Sequence, residues 1–205
     1  MGRISGRDLI KKAIKEFAGN GVGYLQLKED GSTKRVRFLH TDDNDLDVYV
    51  VHEVEVDDRT VNVECLQNES CPLCVVSKPR VKVFLSAYDP EDDKVVIWER
   101  GPAIIDDIFG FIGKYGHLNN RLYEIKRHGK KGDQKTKYQM FPEDKSEPVD
   151  NHGEPLKPRQ DIIARGVVKV WSKEEMELHA AQVAEQSATT EKRNRGGSGR
   201  RGPGF

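Results

Sequence analysis

Apolar residues change period several times along the chain, and each change marks an element. Leu9, Ile10, Ala13, Ile14 and Phe17 recur at helical spacing behind the capping-box-like pair Ser5 and Asp8. Gly19-Asn20-Gly21 ends that run, so a helix is predicted over 5–18. Strand-like runs at 23–28 and 34–39 flank Asp30-Gly31-Ser32, the pattern of a hairpin turn. A longer strand is predicted over 46–56, with Val48, Val50, His52, Val54 and Val56 sharing one face. A second hairpin pairs 80–87 with 94–98 across Asp89-Pro90-Glu91-Asp92-Asp93. Residues 104–115 read as a helix with Ile105, Ile108, Phe109 and Ile112 turned inward. A third hairpin pairs 121–127 with 135–141.

The rest of the chain alternates loop and order. Residues 142–160, rich in Pro, Glu, Lys and Asp, read as a loop, and 162–171 as a last strand. A helix over 172–186 opens on the box Ser172-x-x-Glu175. Residues 192–205 are Gly/Arg-rich and of low complexity, the composition of a segment disordered on its own. There is no internal repeat. The expected fold is mainly β, of α+β character: an OB-fold-like five-stranded barrel with flanking helices. The expected organisation is an N-terminal helical segment (1–19), a β core (20–171) with a metal-binding subdomain at about 52–79, a C-terminal helix (172–190) and a tail (191–205).

Composition sharpens this in one respect. The 205 residues carry 34 basic and 34 acidic side chains, with 33% charged and a mean hydropathy of −0.72. The neutral sum hides asymmetry: 42–58 holds eight acidic residues and no Lys or Arg, whereas 121–137 holds seven basic residues against Glu124 and Asp133. No apolar run approaches the roughly 18 residues needed to cross a bilayer, and Met1-Gly2-Arg3-Ile4-Ser5-Gly6 lacks the apolar region of a signal peptide. A membrane is therefore not an expected partner.

The three cysteines carry the most specific signal. Cys65, Cys71 and Cys74 follow His52 in the pattern H-x12-C-x5-C-x2-C, and Cys71-Pro72-Leu73-Cys74 lets two thiolates of a tight knuckle face one ion. Three is an odd count for a disulfide framework, so a reducing, cytosolic compartment is expected. Zinc takes four N or S ligands, and three soft thiolates favour it over calcium or magnesium. The fourth ligand is open among His40, His52, His117, His128, His152 and His179. His52 is favoured, being nearest on the N-terminal side and set among valines, where an imidazole needs a partner. With no general base or open coordination position evident, the metal is read as structural and the chain as not an enzyme.

Strand parity places cations beside aromatics. Arg35 and Arg37 share a face, as do Arg80, Lys82 and Phe84; the third hairpin adds Arg127, Lys130, Lys131, Lys135 and Lys137, with Tyr123 and Tyr138 nearby. Single strands are held by cations along the backbone and by flat rings under the bases, so these residues are candidate nucleic-acid contacts. Trp98 joins them, though core and platform are both open for it and for Trp171. The competing reading is that alternating Lys and Arg mark the wet face of half-buried strands.

These residues together resemble tailed-phage single-stranded DNA-binding proteins, above all the zinc-containing helix-destabilising proteins of T-even phages and their relatives. The likeness runs over about 20–142. It is carried by Lys34-Arg35-Val36-Arg37-Phe38-Leu39, by His52, Cys65, Cys71 and Cys74 in matching order, and by Arg80-Val81-Lys82-Val83-Phe84. Ile108-Phe109, the stretch Tyr123-Glu124-Ile125-Lys126-Arg127-His128-Gly129 and Thr136-Lys137-Tyr138 complete it. The resemblance implies an OB-fold core with an inserted zinc subdomain and sequence-independent, cooperative coating of single strands in phage DNA replication, recombination and repair. It implies His52, Cys65, Cys71 and Cys74 as zinc ligands and, more loosely, Arg35, Arg37, Arg127 and Tyr138 along the groove. Further implications are self-association on DNA, contacts with replication or recombination proteins, and a host-cell cytoplasmic location. The chain departs from the family's acidic end, since after residue 190 Glu191 stands alone against Lys192, Arg193, Arg195, Arg200 and Arg201.

Two other functions fit parts of the chain. A zinc-knuckle transcription or replication adaptor, acting through protein contacts, would use the acidic run 42–58. A magnesium nuclease would need Asp42, Asp43, Asp106 and Asp107, but adjacent carboxylates at helix starts ordinarily serve the helix dipole.

Overall fold

The computed structural model describes residues 23–130, 132–133, 135–157, 159 and 161–196, with backbone alone beyond 185. The predicted helix over 5–18, Lys131 and residues 197–205 lie outside the described residues. The chain is mainly β with mixed strand pairing, and it divides into two compact units. One contains the described residues up to Asp47 together with Val83–Asp161; the other contains Val48–Lys82 and the described residues from Ile162 onward.

The first unit is a sheet with one helix. Its strands are β1 (Gly23–Tyr24), β2 (Thr33–Phe38), β5 (Arg80–Asp89, contributing from Val83), β6 (Lys94–Arg100), β7 (Arg121–His128) and β8 (Lys137–Lys145). They lie in the order β8-β7-β2-β5-β6-β1. All pairs are antiparallel except β1–β6, where Gly23 and Tyr24 run parallel to Val96 and Ile97. The first predicted hairpin is therefore absent. Gly31 takes φ +76° in the turn closed by the Ser32 N–H on the Glu29 carbonyl, and the chain leaves this turn to join β7 rather than β1. Gly31 donates to the Arg127 carbonyl and Arg127 to that of Ser32, extending the β2–β7 ladder. Among the described residues no ladder joins β8 to β1, so hydrogen bonding leaves the sheet open.

Strand β8 runs to Lys145, into the stretch expected as a loop, and accommodates Pro142 where the β7–β8 register shifts between Arg121 and Tyr123. Helix α1 (Ile105–Tyr115) follows a 3-10 turn at Pro102–Ile104, with Asp106 and Asp107 at its positive N-terminal end. Ile108 is fully buried, whereas Phe109, expected in the core, is 48% exposed and Phe111 packs against the core instead. Phe111 lies three residues beyond Ile108, hence near it on the helix surface, while Phe109 is a full 100° further round. The core joins Phe38, Trp98, Tyr123 and Ile125 from the strands to Ile108 and Leu118, with Phe38 and Tyr123 rings 5.1 Å apart.

The second unit is smaller. β3 (Asp47–Val56) pairs antiparallel with β4 (Arg59–Glu64), and β4 pairs parallel with β9 (Val168–Lys169), all that remains of the strand expected over 162–171. Asp57 and Asp58 make the β3–β4 turn with φ of 50° and 58°, the left-handed pair of a type I′ connection, which Asp tolerates better than most residues. Helix α2 (Lys173–Gly196) opens on the expected capping box: Ser172 N–H donates to Glu175 and Glu175 N–H to the Ser172 hydroxyl. It continues ten residues past the helix end predicted at 186 and six past the expected boundary of the tail at 190. Its Met176, 1% exposed, packs into one cluster with Val54, Val63, Cys65, Cys71 and Leu73.

Candidate metal centre and basic surface

β3 points His52 to the same side as Val50, Val54 and Val56, and its imidazole is completely buried. β4 ends one residue before Cys65, whose backbone N–H closes the ladder on the Val50 carbonyl. The chain then reverses through Gln67, held at φ 53°, where the Gln67 N–H donates to the Cys65 sulfur at 3.3 Å. Cys71 precedes a 3-10 turn (Pro72–Val75), and Pro72 suits its first position, where no N–H is needed. That turn brings Cys74 back over Cys71, its N–H on the Cys71 carbonyl, while buried Leu73 anchors the knuckle from beneath.

These backbone devices bring four ligand atoms within 4.8 Å of one another. The Cys65 sulfur is 3.8 Å from those of Cys71 and Cys74, and His52 Nε2 is 3.5 Å from Cys71 Sγ and 3.6 Å from Cys74 Sγ. A tetrahedron with metal–sulfur bonds of about 2.3 Å and a metal–nitrogen bond of about 2.05 Å has edges of roughly 3.8 Å between sulfurs and 3.55 Å from sulfur to nitrogen. The four residues fit a tetrahedral ion. Disulfides are excluded at these separations, since a bonded sulfur pair lies about 2.05 Å apart.

Protonation agrees with that use. Burial holds the His52 imidazole below its ordinary pKa, against the Ser77 contact, so the ring is neutral near pH 7 and offers a lone pair. Its Nδ1 lies 3.3 Å from the Ser77 hydroxyl, a partner that fixes the ring while Nε2 faces the sulfurs. Lost hydration, then the Cys65 and Cys71 sulfurs, push the Cys74 thiol up to about 12. Three thiolates so close repel one another unless a cation sits among them.

The predicted nucleic-acid contacts divide sharply. Phe84 and Trp98 are 0% exposed, so neither presents a ring face to solvent, and both belong to the interior. Lys82 is buried too, its ammonium bonded to the carboxylate of Glu53 and, at 2.8 Å, to Asn62 Oδ1. Alternation does not separate wet from dry positions on β5 because the strand is buried on both faces from Lys82 to Asp89. Arg37 donates to the carbonyls of Asn119 and Ser146 and to the Ser146 hydroxyl. Arg127 spends all five N–H groups on the carbonyls of Leu27, Gly129 and Lys130 and the hydroxyls of Thr136 and Tyr138. Both guanidiniums tie loops to strands: Arg127 has no donor left for a phosphate, and Arg37 is buried with three of its five N–H groups spent.

Of the surface cations, Arg35 forms a two-pronged pair with Glu143 at 2.7 and 2.6 Å, and Arg80 pairs with Glu53 at 3.2 Å. Lys130, Lys135 and Lys137 are exposed, Lys126 is half-buried, and none makes an ion pair among the described residues. Tyr138 is half-buried between two guanidiniums: Arg100 lies 3.8 Å above its ring, and Arg127 bonds its hydroxyl. Arg100 is outside the sequence-derived set. Its period-2 relation to Trp98 on β6 is the signal that could have found it, since the two share a face and stack at 4.9 Å.

The carboxylates considered for a nuclease have local duties. Asp42 caps the 3-10 turn at Asp43–Asp45 by accepting from the Asn44 N–H, and Asp106 and Asp107 sit in the first turn of α1. No described helix is long and apolar enough to cross a membrane. No family model matches the chain, and no curated protein proves similar to it in sequence.

Proposed function

We propose that the chain binds single-stranded DNA without strong sequence preference, coating and protecting it, on an OB-like sheet braced by structural zinc. The observation that carries this reading is the concentration of unpaired cations on the β7–β8 hairpin. Lys126, Lys130, Lys135 and Lys137 make no ion pair among the described residues, whereas Lys34, Arg35 and Arg80 are matched to carboxylates. Lysines whose charge no neighbour satisfies suit a polyanion, and Tyr138 adds a ring beside them. Three sulfurs and one imidazole nitrogen at tetrahedral spacing favour zinc over harder ions, and four protein ligands leave it a bracing role. The resemblance to phage helix-destabilising proteins supplies the setting of replication, recombination and repair.

The test is a fluorescence or anisotropy titration with dT oligomers of increasing length across a salt series, on metal-loaded and chelated protein. Length-dependent binding that weakens with salt by about 0.7 in log–log slope per phosphate contacted supports the reading. Replacing Lys130, Lys135 and Lys137 by Gln lowers that slope, while Arg35→Gln does so less because Glu143 already holds that charge. Weak binding at every length overturns it.

The adaptor reading draws on a different surface. Val75, beside Cys74, is 86% exposed, and a groove of about 480 Å³ opens beside Glu53, Glu55, Asp57, His179 and Gln182. Nuclease-resistant capture of a protein partner, with poor affinity for dT, would put this reading first.

A further inference from the structure

A cavity of about 650 Å³ opens between the end of β6, the 3-10 turn before α1 and the β7–β8 connection. Arg100, Lys137, Tyr138, Thr136, Asp107 and Asp133 bring polar or charged groups to its wall. Arg100 is unusual among the described arginines. Its guanidinium is stacked on Tyr138 at 3.8 Å and on Trp98 at 4.9 Å, its Nε is buried without a hydrogen-bond partner, and it makes no ion pair among the described residues. Buried Arg127 approaches the same ring from beside it and has neutral acceptors only. Two guanidiniums thus share one aromatic ring with no carboxylate ion-paired to either among the described residues, Glu99 acting on Arg100 only through space.

Such an arrangement favours an anion, because a half-buried cation with a buried, unpaired Nε has lost part of its water and has Glu99 only as a through-space counter-charge. Asp107 and Asp133 line the same cavity but lie on its rim as exposed residues, and Asp133 Oδ1 already accepts from the Lys135 N–H. The volume falls in the range of about 300–1,000 Å³ usual for small-molecule sites, room for one nucleotide unit.

The geometry points to a phosphate site in this cavity that takes one nucleotide unit, its phosphate bound by the terminal N–H groups of Arg100 and by Lys137. The proposal rests on the strand-binding reading only for the source of that nucleotide, which is either one residue of a bound strand or a free nucleoside monophosphate. Thr136 and the two rim carboxylates can meet sugar hydroxyls or base amino groups, while Tyr138 and Trp98 keep the guanidinium plane fixed.

The experiment follows the Arg100 Nε–H signal by NMR while dTMP, inorganic phosphate or a short dT oligomer is added to the full chain, alongside Kd measurements on Arg100→Gln and Lys137→Gln. Saturable shifts of that signal are expected with dTMP or the oligomer. Arg100→Gln should weaken oligomer binding at least tenfold and lower the salt slope by about 0.7, with Lys137→Gln smaller in the same direction. Shifts with dTMP in a protein that ignores dT oligomers keep the pocket and assign it to free nucleotides, even as the coating function fails. Tight oligomer binding that leaves the Arg100 signal unmoved, with Lys137→Gln at wild-type affinity, overturns the pocket and leaves the coating function standing. The wild-type titration decides the matter even if Arg100→Gln fails to fold.

Discussion

Nε2 of His52 stands 3.5 Å from Sγ of Cys71, a contact that ties the middle of a strand to a knuckle nineteen residues later. Two such groups, both buried, are at the edge length of a shared tetrahedral ion and well outside a covalent bond. One equivalent of zinc per chain is the expected stoichiometry, and cobalt substitution should give the absorption of a tetrahedral three-sulfur, one-nitrogen site. His52→Ala or Cys71→Ser should abolish uptake, and Ser77→Ala, which removes the ring's other contact, should weaken it about tenfold. Because such sites contribute roughly 10–16 kcal/mol of apparent binding energy, chelation should sharply lower the thermal transition of the second unit. Full stability in chelator would refute a bracing ion.

Stability should fall on mild acidification because of His40. Its ring is completely buried, accepting the Ser86 N–H at Nε2 (2.9 Å) and donating from Nδ1 to the Asp45 carbonyl (2.8 Å), an arrangement only the neutral ring can make. Burial holds its pKa below 6.5, against the pull of Asp45. The unfolded chain therefore binds this proton more readily, so the contribution is complete above about pH 6.5 and is lost as pH falls below it. The slope is at most about 1.4 kcal/mol per pH unit. Denaturant titrations between pH 7.5 and 5 should show this slope in the wild type and a flatter one in His40→Gln; equal slopes would rule His40 out.

Lys82 separates charge for binding from charge for folding. Its ammonium is held by Glu53 and Asn62, so Lys82→Met should cost about 2 kcal/mol of stability by removing both of those contacts. Oligonucleotide affinity of the folded variant, and its salt slope, should match the wild type. A clear loss of affinity in a stable Lys82→Met protein would return this residue to the binding surface.

The two neighbours Ile108 and Phe109 should behave oppositely to their size. Ile108→Ala removes a fully buried side chain and should cost about 2–5 kcal/mol, whereas Phe109→Ala, at a residue 48% exposed, should cost well under 1 kcal/mol. Urea midpoints of the two variants read this directly, and similar losses would place Phe109 inside.

Short-range features of the fold were legible in the sequence because their causes are local. The Ser172–Glu175 box, the Cys-Pro-Leu-Cys knuckle and the helix ending at Tyr115 each depend on a few consecutive residues. The candidate ligand set was legible for a related reason: the spacing of the three cysteines marks them, and His52 was favoured among six histidines by its place among valines, the same histidine that lies in the four-atom cluster. Partner choice was not local. The turn at Gly31 looks like a hairpin in sequence, yet Gly23 and Tyr24 pair with Val96 and Ile97, more than seventy residues away.

What the sequence alone determined, then, was the β-rich character, the period of most elements and the three cysteines of the candidate metal cluster with His52 favoured as the fourth ligand, since backbone sterics and ligand chemistry act at short range. The tertiary structure decided which cations are spent. Parity along β2 and β5 cannot distinguish Arg35 from Arg37 or Arg80 from Lys82. Whether a guanidinium meets a carbonyl, a carboxylate or solvent depends on strands and loops far along the chain, as Arg37 meets Ser146 and Arg127 meets Leu27. The same long-range packing buried Phe84 and Trp98 and left Arg100 against Tyr138 without an ion pair among the described residues.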